Sequence, residues 1–278
     1  MSKPTDQLYY ANGVDSYIAE THAWRTPETC STYMLKYVKK TDRILDVGCG
    51  PGTITVGFPK YVPEGEVIGV EPSQELLDKA EEALRKEETL KKEKINNCSF
   101  RLGSIYKLPF PDNTFDIVNT HQVLVHLQDP VAALVELKRV TKPGGYVCCK
   151  EADLLSACVY PKEYEHDLLL QSQARINLHG TNPTAGRSLR GWAIDAKYVA
   201  ENIHSSASTW CFADEETRKW VSRLFIQRVL HSNERLDDDD AKDQSLRKRV
   251  AEAWQRWKED SRGCFFMTDG QIVYKKEE

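Results

Sequence analysis

No apolar run in this 278-residue sequence approaches the roughly 20 residues needed to cross a bilayer, so no membrane span is expected. The opening residues, Met1-Ser2-Lys3-Pro4-Thr5-Asp6, hold nothing like the apolar stretch of a secretory leader, and the expectation is a cytoplasmic protein. An excess of positive charge is missing too: 38 Lys and Arg face 42 Asp and Glu. A surface with a net charge of -4 does not draw nucleic acid by bulk electrostatics. There is no C-x-x-C pair and no His/Cys cluster with zinc-finger spacing, so no metal site is expected. The 8 cysteines read as reduced, structural thiols, with Cys148 and Cys149 side by side in an apolar run. Hydrophobic residues at 40% and charged ones at 29% allow a buried core, which excludes wholesale disorder.

What the sequence does hold is an alternation of short apolar runs with amphipathic ones. Arg43 to Val47, Val67 to Val70, Cys98 to Leu102, Phe115 to Asn119 and Gly145 to Lys150 read as buried strands. Ile54 to Tyr61, Ser73 to Lys94 and Pro130 to Val140 read as the intervening helices. A further helix is expected over residues 15–39, with Thr26 as a cap and Pro27 at its first position. Continuously apolar strands alternating with helices predict an α/β fold. The expectation is a Rossmann-like sheet of seven mostly parallel strands, covered by helices on both faces.

Beyond residue 150, helices are expected over Pro161 to Leu178, Ala193 to Ile203, Thr217 to Leu230 and Gln244 to Lys258. Ser206 to Phe212 reads as a sixth strand. Cys264 to Thr268 and Gln271 to Tyr274 frame a turn at Thr268-Asp269-Gly270, and one of them is expected to be an antiparallel seventh strand. The plan is one domain: an N-terminal helical lid over 1–40, a cofactor-binding core over 41–155, and cap helices with the last strands over 156–278.

In such a sheet, ligands bind at the carboxyl ends of the strands. There the first strand runs into Asp46-Val47-Gly48-Cys49-Gly50-Pro51-Gly52, a D-x-G-x-G-x-G loop. Glycines there let the backbone turn sharply and bring bare peptide groups against a ligand. Glu71 ends the second strand about 20 residues on, where a carboxylate can accept both hydroxyls of a ribose. A dinucleotide fold wants a third glycine where Thr53 stands, and a phosphate loop wants Lys-Ser/Thr, which is missing. An S-adenosylmethionine site has no phosphate to cradle and fits the loop as it stands.

With Leu108-Pro109-Phe110-Pro111-Asp112-Asn113-Thr114-Phe115-Asp116 and Leu137-Lys138-Arg139-Val140-Thr141-Lys142-Pro143-Gly144-Gly145 in order behind it, the chain resembles class I S-adenosylmethionine-dependent methyltransferases of the UbiE-like group. The resemblance runs from about residue 40 to 150, and His22-Ala23-Trp24-Arg25-Thr26 extends it upstream. It implies that Asp46, Gly48, Cys49 and Gly50 surround the methionine part of the cofactor, and that Glu71 and Pro72 hold the ribose. Ser104 and Ile105 would meet the adenine, while His121 and Gln122 would lie beside the sulfonium. Ser104 stands where many relatives carry an aspartate. Tyr17 and Arg25 would reach the cofactor from the N-terminal segment, with residues 1–30 closing over it and Arg25 on its carboxylate.

Transfer of a methyl group from a sulfonium needs proximity first, and a base only where the acceptor must lose a proton. Candidates for that base are His121, Glu151 and Asp153, of which His121 and Asp153 are the catalytic expectation. No Asn/Asp-Pro-Pro-Tyr follows the fourth strand, which speaks against transfer to DNA adenine or glutamine. The expected acceptor is a small organic molecule, apolar or aromatic, methylated at O, C or N by a monomer or homodimer. The competing reading is a non-catalytic scaffold of the same fold, which has no need of a ligand-shaped glycine turn.

Overall fold

The computed structural model describes residues 24–278, and of residues 175, 178 and 179 only the backbone. Tyr17, His22 and most of the expected lid lie outside the described residues. Strands β1 (Arg43–Val47), β2 (Glu66–Glu71), β3 (Cys98–Leu102), β4 (Phe115–His121) and β5 (Thr141–Ala152) form in the expected places. They run parallel in the order β3-β2-β1-β4-β5. Strand order reverses between β1 and β4, which places the ligand-binding crevice at their carboxyl ends. Side chains alternate across the sheet. Leu45, Val47 and Val118 pack on Leu134, Leu137 and Leu189 on one face. Ile44, Val67 and Ile117 pack on Met34, Phe58 and Val62 on the other.

Helix α1 (Gln74–Lys91) begins at Ser73, whose hydroxyl accepts from the Leu76 N–H, and buries Leu76, Leu77, Ala80 and Leu84. Helix α2 (Pro130–Val140) is capped by Asp129. The stretch expected as a helix after the glycine loop is two 3-10 turns, Thr55–Gly57 and Pro59–Tyr61. Pro59 has no N–H to continue a longer ladder. Thr26 does cap Pro27–Cys30, with Thr29 completing a capping box, but the described part of the helix expected over 15–39, residues 24–39, holds only two short turns broken at Ser31.

The C-terminal part departs further from expectation. Strand β6 (Cys158–Tyr160) was not foreseen; with β7 (Ile203–Phe212) and β8 (Cys264–Lys275) it brings the sheet to eight strands among the described residues. The expected turn at Thr268-Asp269-Gly270 does not exist, because β8 runs straight through it. All of these pairings are antiparallel. β7 lies along one edge of β8 from Phe265 to Tyr274, while β5 and β6 share the other. Helix α3 (Glu165–His179) matches expectation, but α4 spans Ala185–Asp195 where a loop and a later helix were expected. Gly186 of α4 and Gly270 of β8 explain both errors. A Cβ on Gly270 would stand 1.9 Å from the Gly186 carbonyl oxygen, so the glycines mark a helix backbone lying directly on a strand. Helices α5 (Glu215–His231) and α6 (Asp240–Glu259) pack together over a cluster built on Trp254, Trp257 and Phe265.

Gly270→Ala is expected to cost about 2–4 kcal/mol, because neither backbone can yield. Gly191→Ala, on an open helical position with nothing within 4 Å, should gain about 0.5–1 kcal/mol. Urea midpoints of the two variants check the contrast.

Candidate active site

The glycine loop is held from behind by one carboxylate. Asp46, near the end of β1, is buried and accepts from the Thr55 hydroxyl at 2.6 Å and the Asn119 side-chain amide at 2.8 Å. Burial raises it to about 6, against the pull of those two hydrogen bonds. Both oxygens thus serve the fold, tying β1, β4 and the turn after the loop, although Asp46 also lines the cavity in front. In the loop, Gly48, Gly50 and Gly52 have φ of 71, 54 and 75°. A Cβ on Gly48 would strike Val123, and one on Gly52 would strike Ala80 of α1. One on Gly50 would meet nothing within 4 Å, since that position opens on the cavity.

Glu71 closes the loop from the second strand. Its carboxylate accepts from the Gly50 N–H at 3.1 Å and the Ser73 N–H at 3.3 Å. The side chain lines the same cavity as Gly48, Cys49, Gly50 and Pro72. An open left-handed glycine beside a strand-end carboxylate, with no phosphate-binding lysine, fits an adenosyl amino acid. Beyond β3, Ile105 is buried and lines the cavity, but Ser104 does not. Its hydroxyl turns back to accept from the Tyr106 N–H at 3.2 Å.

The far wall is built by the turn after β4. Gln122 has φ 59° and acts as a hub. Its carbonyl oxygen accepts from the Ala152 N–H at 3.0 Å and its amide donates to Asp269 at 3.1 Å. Glu151, fully buried in β5, accepts from the Val123, Leu124 and Val125 N–H groups at 2.9–3.1 Å. Burial pushes it up to about 8, three backbone donors pull the other way, and Asp269 adds to the rise. Glu151 therefore clamps a turn rather than facing an acceptor. Asp153 is likewise not in the cavity: β5 and the turn beyond it point Ala152 and Leu154 inward and Asp153 outward. There Arg187 of α4 grips both its oxygens, so the expected second base is an ion-pair partner.

His121 ends β4 on the cavity. Burial first, then the charges of Arg25 and Lys150, hold its imidazole well below its usual range, so it is neutral at physiological pH. Lys150 of β5 is buried 3.4 Å from Asp269 of β8, whose other bonds come from Gln122 and the Trp210 indole. Arg25 and Lys150 both sit over the Trp210 ring, at 5.9 and 5.6 Å from its centroid. The Lys150–Asp269 pair was missed in the sequence, although a Lys at the end of an otherwise apolar strand was a signal that it had a buried partner.

The rest of the wall is aromatic. Trp24 meets Trp210 and Trp220 edge to face, with centroids 4.6 and 5.2 Å apart, and Phe212 and Phe265 complete the slot. The whole cavity encloses about 220 Å³. One cavity is lined by the glycine loop and Glu71, by His121 and by these aromatic side chains. No cluster of metal-binding side chains exists among the described residues.

The model of the methyltransferase domain matches residues 38–201. "Probable methyltransferase ltbC" of Aspergillus luteorubrus is 36% identical over 225 residues, covering 77% of each chain. Demethylmenaquinone methyltransferase of Staphylococcus carnosus is 37% identical over 129 residues, or 46% of this chain and 50% of its own, so the chain spans about half the length of that relative. Phosphoethanolamine N-methyltransferase 2 of Haemonchus contortus, solved with phosphomonomethylethanolamine and S-adenosylhomocysteine, shares the fold at a TM-score of 0.53. It is 15% identical, over 88% of this chain and 52% of its own.

Glu151 binds its proton on folding, since its folded value lies above the ordinary 4.5. Its contribution to stability is therefore complete below pH 4.5 and lost as pH rises through about 8. Glu151→Gln cannot titrate, so the variant should start less stable and close the gap with the native protein as pH rises. Thermal midpoints of both proteins from about pH 5 to about pH 9 check this, and a gap constant across that range would count against the raised value.

Proposed function

Since the chain belongs to the methyltransferase domain family, as an enzyme that draws its methyl group from S-adenosylmethionine, we propose that it methylates a small aromatic molecule seated against Trp210 and Trp220. The observation that carries this reading is the mixed lining of one cavity. Gly50 and Glu71 suit a polar adenosyl amino acid, and Trp210, Trp220, Phe212 and Phe265 suit a flat apolar ring. The cofactor supplies an electrophilic methyl group on a sulfonium. The protein's own part is to bind, orient and dry the reacting groups.

Glu71 is proposed to accept from the ribose hydroxyls while it holds the Gly50 N–H, so that ligand and loop order together. Ile105 and Pro72 flank the base and sugar with apolar surface. Glu151 and Gln122 fix the turn after β4 that lines the cavity, a rigid wall against which the acceptor atom is held in line with the departing methyl group. No helix among the described residues is long and apolar enough to cross a membrane.

Labelled S-adenosylmethionine incubated with the protein and fractions of small aromatic metabolites should yield a labelled low-mass product. Label appearing only in protein or nucleic acid would overturn the small-acceptor reading. Glu71→Ala should weaken binding of S-adenosylhomocysteine by about 1–3 kcal/mol in calorimetry, the usual cost of buried hydrogen-bonding groups left unpaired.

A further inference from the structure

Resting on the reading of a small aromatic acceptor, we propose that His121 is a catalytic base and that the acceptor presents it with an ionisable hydroxyl on an aromatic or enolic ring, not an amine. His121 is 8% exposed, and neither ring nitrogen has a hydrogen-bond partner among the described residues. An imidazole buried in that state is costly unless something else completes it.

The acidic side chains around it have other partners. Asp46 is taken by Thr55 and Asn119, and Glu151 by three backbone N–H groups. Asp153 is taken by Arg187, and Asp269 by Lys150, Gln122 and Trp210. His121 lines the cavity with both ring nitrogens unpartnered among the described residues, in the same lining as Glu71 and Trp210.

The charges around it select the acceptor. Arg25 from the N-terminal segment and Lys150 from β5 both act on His121, and Asp269 from β8 sits behind Lys150. The methyl donor adds a sulfonium. An aliphatic amine enters as an ammonium ion, a further positive charge against these. A hydroxyl enters neutral and becomes an oxyanion, which the same charges favour.

The step is a proton transfer. The acceptor's O–H bond breaks, an N–H bond forms on the unprotonated ring nitrogen of His121, and the electron pair stays on oxygen as the nucleophile. The imidazolium then returns its proton to water, assisted by the charges that disfavour it. Trp210, fixed by its indole N–H on Asp269, holds the ring plane while this happens.

The first test is independent of turnover. Para-nitrophenol bound in the presence of S-adenosylhomocysteine should show more phenolate absorbance at neutral pH than the free probe. His121→Gln and His121→Phe should cut that excess sharply while keeping their thermal midpoints, any remainder being owed to Arg25 and Lys150; an excess undiminished in both variants overturns the proposal.

The second test compares naphthol with naphthylmethylamine under labelled S-adenosylmethionine. Naphthol should be methylated, and His121→Gln should lower its kcat by about 10²–10⁴-fold with little change in KM. Methylation of the amine in preference, or an unchanged kcat in His121→Gln, overturns the hydroxyl proposal and leaves the aromatic-acceptor reading standing. Transfer to neither, with cofactor binding intact, overturns that reading and this proposal with it.

Discussion

The buried carboxylate of Asp46 is the interaction on which the rest of the site depends. It joins three pieces that are remote in sequence: the end of β1, the turn beyond the glycine loop, and the middle of β4. A parallel sheet has no hairpin to set the distance between β1 and β4, which enter from opposite halves of the fold. The Asp46–Asn119 bond spans that gap at matched positions in the strand register. Its cost is visible in the raised carboxyl, about 6, which the two hydrogen bonds only partly offset. With β1 and β4 fixed, Gly48 lies against Val123, Gly50 opens forward, and Glu71 can reach the loop from the next strand.

A second polar layer lies under the far wall. Glu151, Lys150, Asp269 and Gln122 come from β4, β5 and β8, and nearly every polar atom among them is matched. Breaking one member of such a layer leaves a buried charge or dipole unpaired, so its parts are fixed jointly. The turn that carries His121 and Gln122 inherits that rigidity. His121 stands out against it as a polar group without a protein partner among the described residues. On the cavity wall, its two ring nitrogens point to what the cavity admits.

The first half of the fold was legible because its signals are local. The caps at Thr26 and Ser73, the apolar strand runs and the glycine loop each depend on a few neighbouring residues. Glu71 and the loop were legible together, because strand length fixes where the second strand ends. The failures come from residues whose meaning lies in distant contacts. Gly270 looks like a turn glycine, but its role is set by Gly186, far away in sequence. Asp153 looked available because sequence alone could not show Arg187 beside it. Ser104 sits in the expected place, yet a local bond to Tyr106 turns its hydroxyl away. The aromatic slot depends on the register of β7 on β8, which places Trp210 beside Met267, and no short pattern encodes that.

The position of β8 bears on how the molecule comes to exist. A ribosome delivers β5 and β7 long before it delivers β8, yet β8 lies between them. Until Cys264–Lys275 emerges, both inner edges of the nascent sheet stay open and the cap helices have no Phe265 to close on. Such edges invite pairing with other chains. During synthesis, then, the half-made molecule is at its most adhesive in its second half. A chaperone that shields strand edges would have most to do in the interval before β8 arrives.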